Sequence, residues 1–234
     1  MTQVSTMHDV LFRLRQLCWL ALVATLFALV DSDFIIFLVV LIAIAIVAFE
    51  TRAPLRALGL GRPRSIMRTI ALGIAGGLAM LFFSKLLLTP IAEAITGIPR
   101  DLSAFEFVRG NLAPYLELMP RIWLGAAIGE EIVFRAFLIG RLEAAFGGAS
   151  RIATAAAVLL SSVLFGLAHT YQGPTGVLIT GVLGLIFACV YAYGGRNLWL
   201  NIVVHGVYDT LSLGLVLTSL DRTFTEVAHK LVPL

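Results

Sequence analysis

Long apolar stretches, separated by short polar or chain-breaking groups, dominate this chain. Seven of them, at 11–30, 34–49, 66–88, 118–140, 152–169, 175–193 and 197–217, reach or approach the ~20 apolar residues a helix needs to cross a hydrocarbon core. Asp31-Ser32-Asp33 ends the first, Thr89-Pro90 the third, and Gly194-Gly195 the sixth, while Gly173-Pro174 separates the fifth from the sixth. Backbone groups in lipid must be satisfied within their own segment, and at these lengths only helices achieve that. The pattern predicts an all-α, polytopic transmembrane bundle of about seven spans, with room for an eighth. Residues 92–120 are mixed, with Glu93, Arg100, Asp101, Glu106, Arg109 and Glu117 among them, and read as a loop with a short interfacial helix.

Composition agrees with a membrane solvent. The chain is 59% hydrophobic and 13% charged, with a mean hydropathy of +0.97, whereas soluble domains run near half apolar and about a quarter charged. The net charge of +3 carries no nucleic-acid signature, because the basic residues are dispersed apart from Arg52, Arg56, Arg62, Arg64 and Arg68 beside one span. That cluster is a topology signal. Placing it in the cytoplasm puts Arg13, Arg15, Arg141, Arg151 and Arg196 on the same side, and Arg100, Arg109, Arg121, Arg222 and Lys230 opposite. The N-terminus is then cytoplasmic. Arg13 and Arg15 precede the first apolar stretch as in a signal peptide, but no small-x-small cleavage site follows, so it reads as a retained span. Cys18 and Cys189 lie inside apolar runs and read as small buried hydrophobes. The excess of Arg over Lys, with abundant Ala and Gly, has a bacterial look and suggests the inner (cell) membrane.

Charge at the wrong depth is what points to chemistry. An ionised side chain at mid-membrane costs about 2.5–3.5 kcal/mol on insertion scales, so each one needs a reason. Lys85, near the end of the third stretch, is expected to snorkel to the interface. Glu131 and Arg135 are four apart on one helix face, in the favoured order for an ion pair. Glu130 is turned by about 100° and has no equivalent partner on its helix, which suits a group that takes and returns a proton. His169 stands one turn after Phe165 at a helix end, where a histidine read alone is more often interfacial. His205 and Asp209 share a face at i, i+4, and Asn201 extends their stripe. These groups come from three separate apolar segments. Together they can line one wet cavity, and a cavity of that kind is by default a site.

Glu130-Glu131-x-x-x-Arg135, Phe165-x-x-x-His169 and His205-x-x-x-Asp209, in that order and each in an apolar segment, resemble the three motifs of the CPBP family, which includes the type II CAAX prenyl proteases and bacterial bacteriocin-processing and immunity-related membrane proteins. The likeness covers roughly 118–215. It implies a catalytic helical core at 111–220, preceded by N-terminal transmembrane helices and a loop at 1–110, within a single membrane domain. It also implies an intramembrane endopeptidase in which Glu130 polarises a water, His169 helps position it, and His205 with Asp209 faces the oxyanion. Glu131 and Arg135 then brace the site, with Phe165 in support. The prenyl proteases place Asn where this chain has Asp209, Asp being the usual alternative among bacterial members. An Asp there stabilises an anion only when protonated or through His205.

No cofactor is required by this reading. A metallo-endopeptidase form would draw Zn²⁺ ligands from Glu130, His169, His205 and Asp209, but the chain has no HExxH helix. The expected partners are membrane lipid and a peptide or protein substrate, with no nucleic acid. Two other classes stay open: a non-catalytic scaffold or bacteriocin immunity protein of the same fold, and a proton-coupled transporter. Against the transporter, no inverted repeat is visible and the polar residues sit in the C-terminal half.

Overall fold

The computed structural model describes residues 2–29 and 33–232. Asp31 and Ser32 of the first expected break lie outside these residues. Helix makes up 84% of the structure, and no strand occurs among the described residues. In chain order come α1 (Thr2–Leu29), α2 (Asp33–Glu50), α3 (Pro54–Ala57), α4 (Ile66–Phe83), a π-turn (Ser84–Leu88) and α5 (Thr89–Thr96). A 3₁₀ turn (Ser103–Val108) leads to α6 (Leu112–Pro120), a π-helix (Arg121–Ile139) and α7 (Gly140–Ala145). The chain closes with α8 (Arg151–Leu167), a 3₁₀ turn (Thr170–Gln172), α9 (Gly173–Tyr193), α10 (Leu198–Leu217) and α11 (Leu220–Leu231).

Among the described residues, three continuous helical stretches are long and apolar enough to cross a membrane: Ile66–Thr96, Thr170–Tyr193 and Leu198–Leu217. Leu38–Glu50 and Arg151–Leu167 are apolar but shorter. Side-chain caps fix three starts: the Ser65 hydroxyl accepts from Arg68 N–H, Ser150 from Ala153, and Asn197 from Trp199.

Several boundaries differ from expectation for identifiable reasons. The segment expected to stop at Thr89-Pro90 continues to Thr96 and ends at Gly97, which has φ +68°. The widened turn Ser84–Leu88 spares Pro90 its missing hydrogen bond, and the Thr89 hydroxyl donates to the Ser84 carbonyl at 2.8 Å. Residues 92–120 are less of a loop than expected, since α6 starts at Leu112 and runs through Pro120 directly into the π-helix. Lys85 does not snorkel. It is buried, with 7% of its surface exposed, because the π-turn carrying it is packed by α11, a helix that has no apolar run to announce it.

Glycine sets the packing. α4 and α10 run parallel, with Gly73, Gly76 and Gly77 against Val203, Val204 and Val207, so closely that a Cβ on Gly77 would lie 2.6 Å from the Val207 side chain. α8 and α9 form a hairpin whose backbones meet where a Cβ on Gly166 would fall 2.7 Å from the Val177 carbonyl oxygen. The π-helix lies between α2, α8 and α10, and its apolar residues Ile132, Val133, Phe137 and Ile139 are buried there. Polar clusters close both ends of the bundle. At one, Arg141 pairs with Glu50 and with Gln16, and Arg196 with Glu143 at 2.6 Å. At the other, Arg109 pairs with Asp221 and Glu106, and His229 with Glu93.

Candidate active site

Three helices carry the expected residues to one place. The π-helix supplies Glu130, Glu131 and Arg135, the end of α8 supplies Phe165 with His169 just beyond it, and α10 supplies Asn201, His205 and Asp209. His205 is the hub. Its Nδ1 lies 2.9 Å from Glu131 Oε1, its Nε2 lies 3.2 Å from Asp209 Oδ2, and Glu130 Oε2 is 3.9 Å from the same Nε2. One ring face stacks on Phe187, with centroids 4.9 Å apart.

Exposure is graded across the group. Glu131 and Arg135 side chains are 0% and 1% exposed, His205 6%, Glu130 16% and Asp209 27%. The set therefore has a sealed floor at Glu131 and an accessible rim at Asp209.

The floor is tied from several directions. Arg135 Nη1 lies 3.3 Å from Glu131 Oε1, and the Asn201 amide donates to Glu131 Oε2 at 3.1 Å and to the Phe187 carbonyl at 2.8 Å. The Arg135 guanidinium stands 4.2 Å from the Phe165 ring centroid and 5.1 Å from that of Phe187, an arrangement that offsets part of its desolvation. Phe165 is pressed against Gly184, where a Cβ would meet its ring at 2.7 Å.

His169 completes the group. Its Nδ1 is 2.8 Å from the Phe165 carbonyl oxygen. A carbonyl only accepts, so Nδ1 carries the hydrogen and the neutral ring keeps the lone pair of Nε2. Glu130 Oε2 itself is buried and has no hydrogen-bond partner. A buried carboxylate oxygen without a donor is costly unless something else binds there.

The structure thus brings together Glu130, Glu131, Arg135, Phe165, His169, His205 and Asp209. Glu131, expected to pair with Arg135 and brace the site, also holds His205 and Asn201. Two contributors, Gly184 and Phe187 of α9, are not foreseen in the sequence. A glycine inside an apolar helix was the available signal, since it marks close approach. The residues do not fit a metal as they stand: among the described residues no three His, Cys, Asp or Glu are placed to hold an ion, and both His205 nitrogens face carboxylates.

Comparison with known proteins adds the family. Residues 113–211 match the family model for type II CAAX prenyl endopeptidase, Rce1-like. Over this segment the chain is similar to that family. The match contains all three motifs and agrees with the CPBP resemblance. No curated protein and no solved structure matches the chain. The family is, by its description, one of endopeptidases, and three helices among the described residues are long and apolar enough to cross a membrane.

Proposed function

We propose that the chain is an intramembrane endopeptidase of glutamate type, with its catalytic core at 111–220. The observation that carries this reading is the unpartnered, buried Glu130 oxygen 3.9 Å from His205 Nε2. That gap is too long for a hydrogen bond and leaves a place for a group that bonds to both.

In this reading a water sits there, with a further contact at the lone pair of His169 Nε2. Glu130 takes the water's proton as oxygen attacks the scissile carbonyl carbon, and the carbonyl π-electrons move onto oxygen. His205 stabilises that oxyanion. Glu131 and Asp209 both accept from its ring only when both nitrogens carry hydrogen, and Nε2–H can then turn from Asp209 to the oxyanion. Asp209 acts through His205 and need not itself be protonated. Collapse of the intermediate breaks the C–N bond, and Glu130 returns its proton to the leaving amine. Arg135 and Asn201 hold Glu131, which holds His205. No step requires a metal.

The test is Glu130→Gln in the full chain. Gln keeps shape and reach but cannot accept the proton, so cleavage of a membrane peptide should fall by about 10²–10⁴-fold while folded yield is kept. Substrates trapped by this variant, compared with wild type by membrane proteomics, would give the cleavage site. Cleavage at the wild-type rate by Glu130→Gln would sink the mechanism.

A further inference from the structure

Two cations beside the site, buried Lys85 and half-buried Arg100, have no carboxylate in contact with their charged groups. Lys85, buried under α11, makes no hydrogen bond or ion pair among the described residues. Arg100 gives its Nε (2.9 Å) and Nη2 to the neutral Gln172 Oε1, and its buried Nη1 has no partner. Glu93 is near but bonds the Arg100 backbone N–H instead.

The two cations also repel each other: the Lys85 charge interacts with Arg100, as well as with Asp221 and Asp209. Asp221 is already committed, with both oxygens on Arg109 at 2.7 and 3.0 Å. That leaves Asp209, itself turned to His205, as the remaining carboxylate near Lys85. Like charges held together in an apolar protein, with a donor unmet, are unfavourable unless an anion enters between them.

Both cations border the exposed rim of the site. Arg100 bonds Gln172, Gln172 donates to Tyr171 Oη at 2.9 Å, and the Tyr171 ring lies 5.7 Å from that of His169. Lys85 adjoins Ser84, whose hydroxyl is 3.0 Å from Tyr208 Oη, next to Asp209. We infer that Lys85 and Arg100 form a carboxylate-binding subsite that anchors the substrate beside the Glu130–His205 centre. The inference rests on the peptidase reading above. A monoanion suits the place better than a phosphate dianion, because Lys85 already interacts with the charge of Asp209. The carboxylate is either the peptide's chain end or an acidic side chain.

Binding tests this without turnover, so it can fail independently of the chemistry. The full-length Glu130→Gln variant in lipid nanodiscs is titrated with a dodecanoyl-capped leucine/alanine pentapeptide as free acid, as C-terminal amide, and as an amide carrying one aspartate. Dodecyl phosphate is the fourth probe. A carboxylate probe should bind about 10- to 100-fold more tightly than the plain amide, the range of a charge-assisted hydrogen bond. Tight binding by the free acid alone names the chain end, and by the aspartate amide the side chain. Adding Lys85→Met or Arg100→Gln should erase the preference and leave amide affinity unchanged, whereas Lys85→Arg should keep part of it. Should Lys85→Met fail to accumulate, Arg100→Gln in the loop decides. Three results overturn the inference: no carboxylate probe binding better than the amide, a preference surviving in the double variant, or dodecyl phosphate alone depending on the two cations, which would make this a lipid-phosphate site.

Discussion

Two carboxylate–guanidinium networks in this molecule use similar parts at different depths. Inside the bundle, Glu131 meets Arg135, Asn201 and His205 with no exposure. At one end, Arg109 holds Asp221 and Glu106, the latter half exposed. In the interior the desolvation penalty is large and is already offset by partners, so removing one partner strands the others. At the end of the bundle, water replaces whatever is lost. The same ion pair is therefore a structural requirement in one place and a modest fastening in the other.

The largest expected effect comes from breaking the inner network. Arg135→Leu leaves Glu131 buried without its cation and should destabilise by about 3–5 kcal/mol, visible as loss of folded protein in detergent. Normal accumulation with loss of substrate binding would instead assign Arg135 to recognition. His205→Ala should lower the cleavage rate by about 10²–10³-fold through loss of oxyanion stabilisation, read on protein whose yield matches wild type. A rate unchanged by that substitution would remove His205 from the chemistry.

Smaller effects belong to the outer network. Arg109→Gln should cost about 1 kcal/mol in thermal unfolding, because the pair is partly solvated. Its pH dependence has a definite sign. Burial raises the Asp221 pKa, but the hydrogen bond from Arg109 and its charge more than reverse this. The Arg109 bond likewise holds Glu106 below its usual range. Depressed carboxylates stabilise the fold above their unfolded pKa values, near 4, and that stability is lost as pH falls through the lower folded values. Wild type should therefore lose stability below about pH 4 more steeply than Arg109→Gln. The smallest effect expected is that of a chelator: phenanthroline should leave peptide cleavage unchanged in the glutamate mechanism, and inhibition reversed by Zn²⁺ would refute it.

What was legible in the sequence follows from range. The Glu131–Arg135 and His205–Asp209 relations lie within one helix turn, so spacing alone gave them. That Glu130, His169 and His205 share a place followed from the expense of burying each alone. Contacts between helices were not legible: Asn201 on Glu131, Phe187 on His205 and Phe165 on Gly184 depend on how α9 and α10 are rotated, which a uniformly apolar helix does not reveal. α11 was missed because it is amphipathic and short, and with it went the burial of Lys85. Thr89-Pro90 reads as a stop under α-helical rules, and the π-turn before it changes those rules.

That π-turn also acts as a phase setter. Its wider loop holds one residue more than an α-turn, so everything beyond Leu88 is turned by about 100° from where an unbroken α-helix would face. The offset aims Glu93 at His229 and Thr96 at Thr175, which meet at 2.9 and 2.6 Å. Deleting a single residue within 84–88 would restore a regular helix, preserve its hydropathy almost unchanged, and point both side chains away from their partners.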